Sequence, residues 1–334
     1  MTTTAEAPAR SVPAHRGFAV RLARTQRLSP SFLRLTFTGP DLDEFAPRTL
    51  DQRIKFVLPP ACGTPVDVAL FEDPDWYATW RTLPDHERPT LRTYTVRAVR
   101  PEAKEIDVDV VLHGITPETA AAPDCPLRSL HACVCADAVG PAVRWCATAR
   151  EGDGLVIIGP NARYSGPPSG VEWHPPADAR TYLIAGDETA VPAVSSIVES
   201  LPAGARAHVV LEVPTAEDVQ PIHAPEGVEV TWLPRRGEVT TAAHGTLLDL
   251  AVRAAAARIV ASQRTGQDVE DVDVDAQILW EVPAEPLAPQ GVYAWIAGEA
   301  GVVKELRRHL VRDLGIDRKA VAFMGYWRAG RAES

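Results

Sequence analysis

Lysine is scarce in this chain of 334 residues: four (Lys55, Lys104, Lys304, Lys319) stand against 30 arginines. The skew reads first as a compositional bias, and it makes each lysine slightly informative. Basic charge is short as a whole. With 34 basic and 44 acidic side chains the formal net charge is −10, which argues against binding nucleic acid or an anionic membrane, since both draw on basic surface. Long apolar runs are missing too. No stretch approaches the roughly 20 residues a membrane helix requires, and the opening MTTTAEAPARSVPAHR lacks the apolar centre of a secretory signal. The expectation is a cytoplasmic protein without membrane insertion. Five cysteines (Cys62, Cys125, Cys133, Cys135, Cys146) are an odd number without a C-x-x-C pair, so no disulfide framework is expected in a reducing compartment. His131 lies beside Cys133 and Cys135, but the remaining spacings fit no zinc module, and no metal is expected.

Proline, by contrast, is abundant: 30 residues, nearly twice the usual share of about 5%. Loops and extended strands should outweigh long helices. At roughly 150 residues per domain the length predicts two domains, each able to bury a core. Residues 1–15, rich in Ala, Pro and Thr, are expected to be disordered. From there to residue 160 short alternating segments (FAVRLARTQRL, SFLRLTFTG, RIKFVLP, LRTYTVRAVR, IDVDVVLHG, GLVIIGP) predict about six strands and an antiparallel β-barrel over 16–160. Residues 161–180, full of Pro and Gly and without periodicity, read as a linker. Over 181–334 the period changes. TYLIAG, RAHVVLEV, VEVTWLP, VYAWIAG and AVAFMGYW read as strands. Between them lie helical patterns, in the first of which Ala193, Val194, Ile197, Val198 and Leu201 fall on one face. Such alternation predicts an α/β domain with a mostly parallel sheet. Residues 115–139 and 265–289 carry no period and read as surface loops, the second with seven acids and no base.

Several segments can carry chemistry. In Arg92-Thr93-Tyr94-Thr95-Val96-Arg97, strand alternation puts Arg92 and Tyr94 on one face, where a guanidinium can take a diphosphate bidentately and a phenol ring can lie on a flat cofactor. Thr95 points the other way and reaches that ligand only through its N–H or a bulge. The strand that contains Val111 and Leu112 ends in His113-Gly114, a donor beside a glycine that permits close backbone approach. Gly140-Pro141-Ala142-Val143-Arg144-Trp145 resembles a turn that opens a short helix, whose free N–H groups suit a diphosphate. Arg235-Arg236 follow a strand at its carboxyl end, where α/β sheets bind ligands. They suit the 2′-phosphate of NADPH, or an anionic substrate. Each of these also has a plain structural reading, as stacked core aromatics or a solvated basic turn.

Taken in order, these segments resemble the siderophore-interacting proteins, FAD-dependent ferric-siderophore reductases with a ferredoxin-reductase-like fold. The likeness runs from about Phe18 to Gly330. In that family R-x-Y-T-x-R binds FAD, which implies cofactor roles for Arg92, Tyr94, Thr95 and Arg97. V-L-H-G implies the same for Val111, His113 and Gly114, and G-P-A-x-x-W for Gly140, Pro141, Ala142 and Trp145. The family's G-D-E-T-A-x-P falls on Gly186, Asp187, Glu188, Thr189, Ala190 and Pro192, its A-G-E-A on Ala297, Gly298, Glu299 and Ala300, and its G-Y-W-R-x-G on Gly325 to Gly330. The resemblance makes the second domain the site of NADPH or NADH, although Asp187 and Glu188 would repel a diphosphate and so suit the neutral nicotinamide end. Lys55 corresponds to a family lysine implicated in holding the ferric substrate, with Arg144 and Arg235 as further candidates. Two departures stand out. Val143 replaces the small hydroxyl residue usual in the family, and the 25 residues between Gly114 and Gly140 are longer than its usual connection.

What the resemblance implies is reduction of a ferric siderophore by NAD(P)H through FAD, with release of ferrous iron, and no catalytic side chain beyond those that orient the reactants. The alternatives are a general flavin or ferredoxin-type reductase, a siderophore carrier without turnover, and reduced ferredoxin as donor. The charge divides unevenly between the halves, −2 over residues 1–160 and −8 over 161–334. The barrel is nearly balanced and leaves room for a local basic cleft.

Overall fold

The computed structural model describes residues 12–60, 63–73, 75–112, 140–177, 179–237, 241–260, 272–274, 278–283 and 292–331. Alternation dominates the first half. Six strands, β1 (His15–Arg27), β2 (Phe32–Thr38), β3 (Arg53–Leu58), β4 (Thr90–Arg100), β5 (Glu105–Val111) and β6 (Gly154–Pro160), close into an antiparallel barrel in the order β1-β2-β5-β4-β3-β6. On β5 the alternation sorts chemistry by face. Ile106, Val108 and Val110 fill the interior, while Asp107 and Asp109 lie outside, capped bidentately by Arg100 and Arg34 at 2.6–2.8 Å. A short helix α1 (Trp76–Thr82), not legible in the sequence, stands between β3 and β4. Helix α2 (Pro141–Thr148) plugs the barrel with Ala142, Val143, Cys146 and Ala147. Cys146 is a free thiol, pushed up to about 12 by burial despite a hydrogen bond with Tyr94. The other four cysteines and His131 lie outside the described residues.

The second half is a six-stranded sheet in the order β10-β12-β11-β7-β8-β9. It comprises β7 (Thr181–Gly186), β8 (Arg206–Thr215), β9 (Val228–Arg236), β10 (Trp280–Glu281), β11 (Tyr293–Glu299) and β12 (Val321–Trp327). All pairings are parallel except β10 on β12. Because both faces are covered, β7 reads as a continuous apolar run. Tyr182 and Ile184 pack under α3 (Val191–Glu199), whereas Leu183 and Ala185 pack under α4 (Thr246–Val260) and α5 (Ala300–Arg307). All five residues expected on the apolar face of α3 are buried. The last helix is not uniform: α5 gives way to a π-helical stretch over Arg308–Asp313.

The acidic 265–289 segment is not simply a surface loop. Leu279 is 2% exposed, and Trp280–Glu281 add an edge strand to β12. Two residues are too few to show a period. Residues 113–139, including all of the other expected loop, lie outside the described residues. Among the described residues no helix is long and apolar enough to cross a membrane.

Barrel and sheet share a core. Phe32 and Val111, opposite each other on β2 and β5, bury into the cluster built by α3 and the sheet. Three polar ties reinforce the joint. Asp51, ahead of β3, accepts from the Glu172 and Trp173 N–H groups and from Trp295 Nε1. Asp218, after β8, accepts from Ser29 and Ser31. Arg97 on β4 donates to Glu199 at the end of α3 at 2.7 Å.

Candidate functional site

The barrel half of the site gathers around Phe56. This residue is register partner of Arg92, and its ring centroid lies 4.6 Å from Tyr94 and 6.5 Å from Trp145. Arg92 and Tyr94 therefore share the inward face of β4 at the end that α2 closes, as alternation requires. Arg92 is half-buried and donates to the Leu91 carbonyl, and no ion pair occupies it among the described residues. Helix α2 starts at Gly140, where no side chain among the described residues caps its N-terminus, and Pro141 occupies the first turn. An unpaired guanidinium, an uncapped helix start and a half-exposed phenol at one barrel end are a donor set that fits a flavin diphosphate and its ring. Val143 points into the barrel core, 3% exposed, so its methyls replace a hydroxyl where packing rewards an apolar group.

Other residues of the barrel are placed differently. Thr95 lies on the opposite face, 6% exposed, and the bulge in β4 falls after it, at Arg97. Arg97 is taken up by Glu199 and, at 4.0 Å, by Asp109. Val111 belongs to the shared core. His113 and Gly114 lie outside the described residues. Lys55 is exposed on the outer face of β3, donating to Thr93 Oγ1 at 3.2 Å. Its neighbour on that face, Arg53, is held by Glu172 and lies 4.3 Å over the Trp280 ring. Arg144 is exposed on α2.

In the sheet, the strand order reverses between β7 and β11, and ligands of such folds sit outside that switch point. Asp187 stands there with no exposure at all. Its carboxylate accepts from Thr189 N at 2.9 Å and Oγ1 at 2.5 Å, from Glu299 N at 2.8 Å and from Trp327 Nε1 at 2.8 Å. Three motifs separate in sequence meet on this one side chain. Gly298 has φ +149°, and a Cβ there would stand 2.7 Å from Asp187 Oδ2, so glycine is required. Gly186 has the same need, since its Cβ would meet Ala190 at 2.4 Å. Glu299 turns its carboxylate to cap α5 through Val302 N. Asp187 and Glu188, expected at the neutral nicotinamide end because they would repel a diphosphate, are both engaged by partners within the domain.

Arg235, expected to meet a 2′-phosphate or an anionic substrate, is likewise held by acids. Its guanidinium pairs bidentately with Glu188, both bonds 2.6 Å, and reaches Glu212 at 3.2 Å. Glu212 is fully buried and also accepts from Gly245 N and Leu248 N at the start of α4. Arg236 is exposed. His244 completes the cluster and was not singled out in the sequence, where its one signal is a His-Gly pair ahead of a helix. Its Nε2 stands 3.4 Å from Asp187 and 3.6 Å from Glu188, near enough for charge but too far for a well-formed hydrogen bond. Its ring is edge-on to Trp327 at 5.0 Å. Burial disfavours the imidazolium, but the two carboxylates outweigh it and raise the ring to about 10. Glu188 moves the other way. Burial works against its charge, yet His244 and Arg235 lower it to about 2.

Comparison with known proteins divides along the same line as the fold. Residues 21–164 match the siderophore-interacting FAD-binding domain, and residues 179–330 match the siderophore-interacting protein family. A Mycobacterium tuberculosis protein is 31% identical over 94% of this chain and 91% of its own length. The ferric vibriobactin reductase ViuB of Vibrio cholerae is 27% identical over 93% of this chain and 89% of its own. The crystal structure of the siderophore-interacting protein SipS from Aeromonas hydrophila superposes with a TM-score of 0.61 at 29% identity, covering 96% of this chain and 94% of that one. At the level of fold alone, a ferredoxin reductase of carbazole 1,9a-dioxygenase superposes with a TM-score of 0.55 at 12% identity, over 95% of this chain and 71% of that one.

Proposed function

Since the chain belongs to the siderophore-interacting protein family, we propose that it is a cytoplasmic reductase that uses FAD and NAD(P)H to reduce ferric siderophores and release Fe²⁺. The observation that carries this reading is the unpaired Arg92 beside Tyr94 and the uncapped start of α2, all gathered at one end of the barrel around Phe56. A likeness to the ferric reductase ViuB supports the acceptor.

Arg92 and the N–H groups at the start of α2 would hold the FAD diphosphate, and Tyr94 would lie against the ring. When bound, the flavin supplies hydride acceptance and one-electron delivery, which no side chain here can provide. The protein orients and excludes water. Asp187, with its donors, fixes the turns that bound the nicotinamide end, and the shared core and the ties of Asp51, Asp218 and Arg97 hold barrel and sheet at a set separation. Lys55 places a positive charge on the outer barrel face for an anionic chelate, and Arg144 offers a second. Arg235, the third candidate, is held by Glu188 and Glu212. Fe²⁺, the product, carries less charge and is held far less tightly by the hard oxygen ligands of a siderophore.

The test is anaerobic reduction of several ferric siderophores by the FAD-loaded protein with NADH or NADPH, with ferrous iron trapped by a chelator. Trapped Fe²⁺ that depends on both protein and nicotinamide is expected. Flavin that is reduced without yielding Fe²⁺ would leave a general reductase, and protein that takes up no FAD would overturn the reading altogether.

A further inference from the structure

We propose that this chain selects a nicotinamide donor that lacks the 2′-phosphate, NADH rather than NADPH; the inference rests on the donor reading above and deepens it. From the switch point at β7 and β11, a dinucleotide in a doubly wound sheet runs its adenosine half over the carboxyl ends of the next strands, here β8 and β9. In such folds an acid at the end of the second strand takes the ribose 2′-hydroxyl, whereas a nearby arginine accommodates a 2′-phosphate.

Two arginines end β9, but they are not equivalent. Arg235 is 12% exposed and fully committed to Glu188 and Glu212. Drawing it toward a phosphate would strand two carboxylates in a buried site, which is more costly than the new pair is favourable. Arg236 is exposed and lies in register with Thr215 at the end of β8. Two residues on, in the short turn Ala216–Asp218 that packs against β9, Glu217 is exposed. Its neighbour Asp218 is turned inward to Ser29, Ser31 and Thr215, so Glu217 is the acid this turn presents to solvent. Among the described residues, the ends of β7, β8 and β9 thus carry the carboxylates of Asp187, Glu188, Glu212, Glu217 and Asp218 against the cations Arg235, Arg236 and His244. A sugar diol suits Glu217, since a carboxylate accepts from two hydroxyls. A dianionic phosphate meets a site whose carboxylates outnumber its cations among the described residues.

The experiment has two arms. In the first, anaerobic flavin reduction by NADH and NADPH is followed in the FAD-loaded protein, with NADH expected to be at least tenfold more efficient and Glu217→Ser expected to narrow the ratio at least threefold. In the second, calorimetry compares ADP-ribose with 2′-phospho-ADP-ribose, which needs no flavin chemistry, and ADP-ribose is expected to bind more tightly. NADPH as efficient as NADH, or the phosphorylated fragment binding as tightly, overturns the inference while the donor reading stands. An unchanged ratio in Glu217→Ser overturns the role of Glu217. If neither donor reduces flavin that dithionite reduces, and neither fragment binds, the donor reading fails and the inference falls with it.

Discussion

The indole N–H of Trp327 donates to the buried carboxylate of Asp187 across 140 residues of chain. Together with the Glu299 N–H, it makes one side chain the meeting point of the turns after β7, β11 and β12. The three motifs are required together because each closes on the same carboxylate.

Replacing Trp327 by Phe keeps the ring and removes the donor. A hydrogen bond to a charged group is worth about 1.5–3 kcal/mol, and a loss of that size is expected in urea unfolding. Gly298→Ala should cost at least as much, because its Cβ would overlap Asp187 Oδ2. A loss under about 0.5 kcal/mol in either variant would show that the joint relaxes around Asp187.

His244 makes stability depend on alkaline pH. Its folded value of about 10 lies above the ordinary 6.5, so its contribution is complete below about pH 6.5, falls as pH rises, and is gone above about 10. Urea midpoints measured at pH 6, 8 and 10 should converge between the native protein and His244→Asn as pH rises, the gap at pH 6 being on the order of a few kcal/mol. A gap independent of pH would assign His244 a packing role only.

Arg97 and Glu199 should couple. A double-mutant cycle of Arg97→Ala and Glu199→Ala is expected to return about 1 kcal/mol, as for a partly exposed pair in contact. Zero coupling would return Arg97 to the role the family motif implies, contact with the flavin.

Arg92→Ala should weaken FAD binding by roughly 10–100-fold, the loss of one charge-assisted contact to a phosphate. Flavin fluorescence on dilution measures it directly. Arg97→Ala in the same assay should change affinity much less, because its guanidinium already serves Glu199.

Phe32→Ala removes a barrel side chain from the core of the other domain, and about 3–5 kcal/mol is expected to be lost. Both domains should still unfold in one transition, read by calorimetry. Two separated transitions in the native protein would show that the shared core does not couple them.

The parts of the fold that were legible in the sequence are those whose pattern is local. Alternation in β5 and the continuous apolar run of β7 each announce how many faces are buried, and the face of α3 follows from spacing alone. What was not legible depends on partners far along the chain. Asp51 meets Trp295 across 244 residues, and Ser29 meets Asp218 across 189. Nothing near Asp51 or Asp218 marks either as buried. Arg235 and Arg236 are adjacent and chemically identical, so no local reading could tell that one turns inward to two acids while the other stays in solvent. Trp280 was hidden because a two-residue strand has no period, although it covers the edge of β12 and carries Arg53 on its ring.

The order of the second sheet also bears on how the molecule behaves in concentrated solution. Among the described residues the barrel is closed and offers no strand edge, while the second sheet ends in β9 and β10, where another chain can add by hydrogen bonding. β10 is two residues long and follows an acidic stretch. β9 carries Pro234, which cannot donate, and the exposed charge of Glu229. Neither edge is a good template for intermolecular pairing, so the second sheet presents blunted borders that resist aggregation.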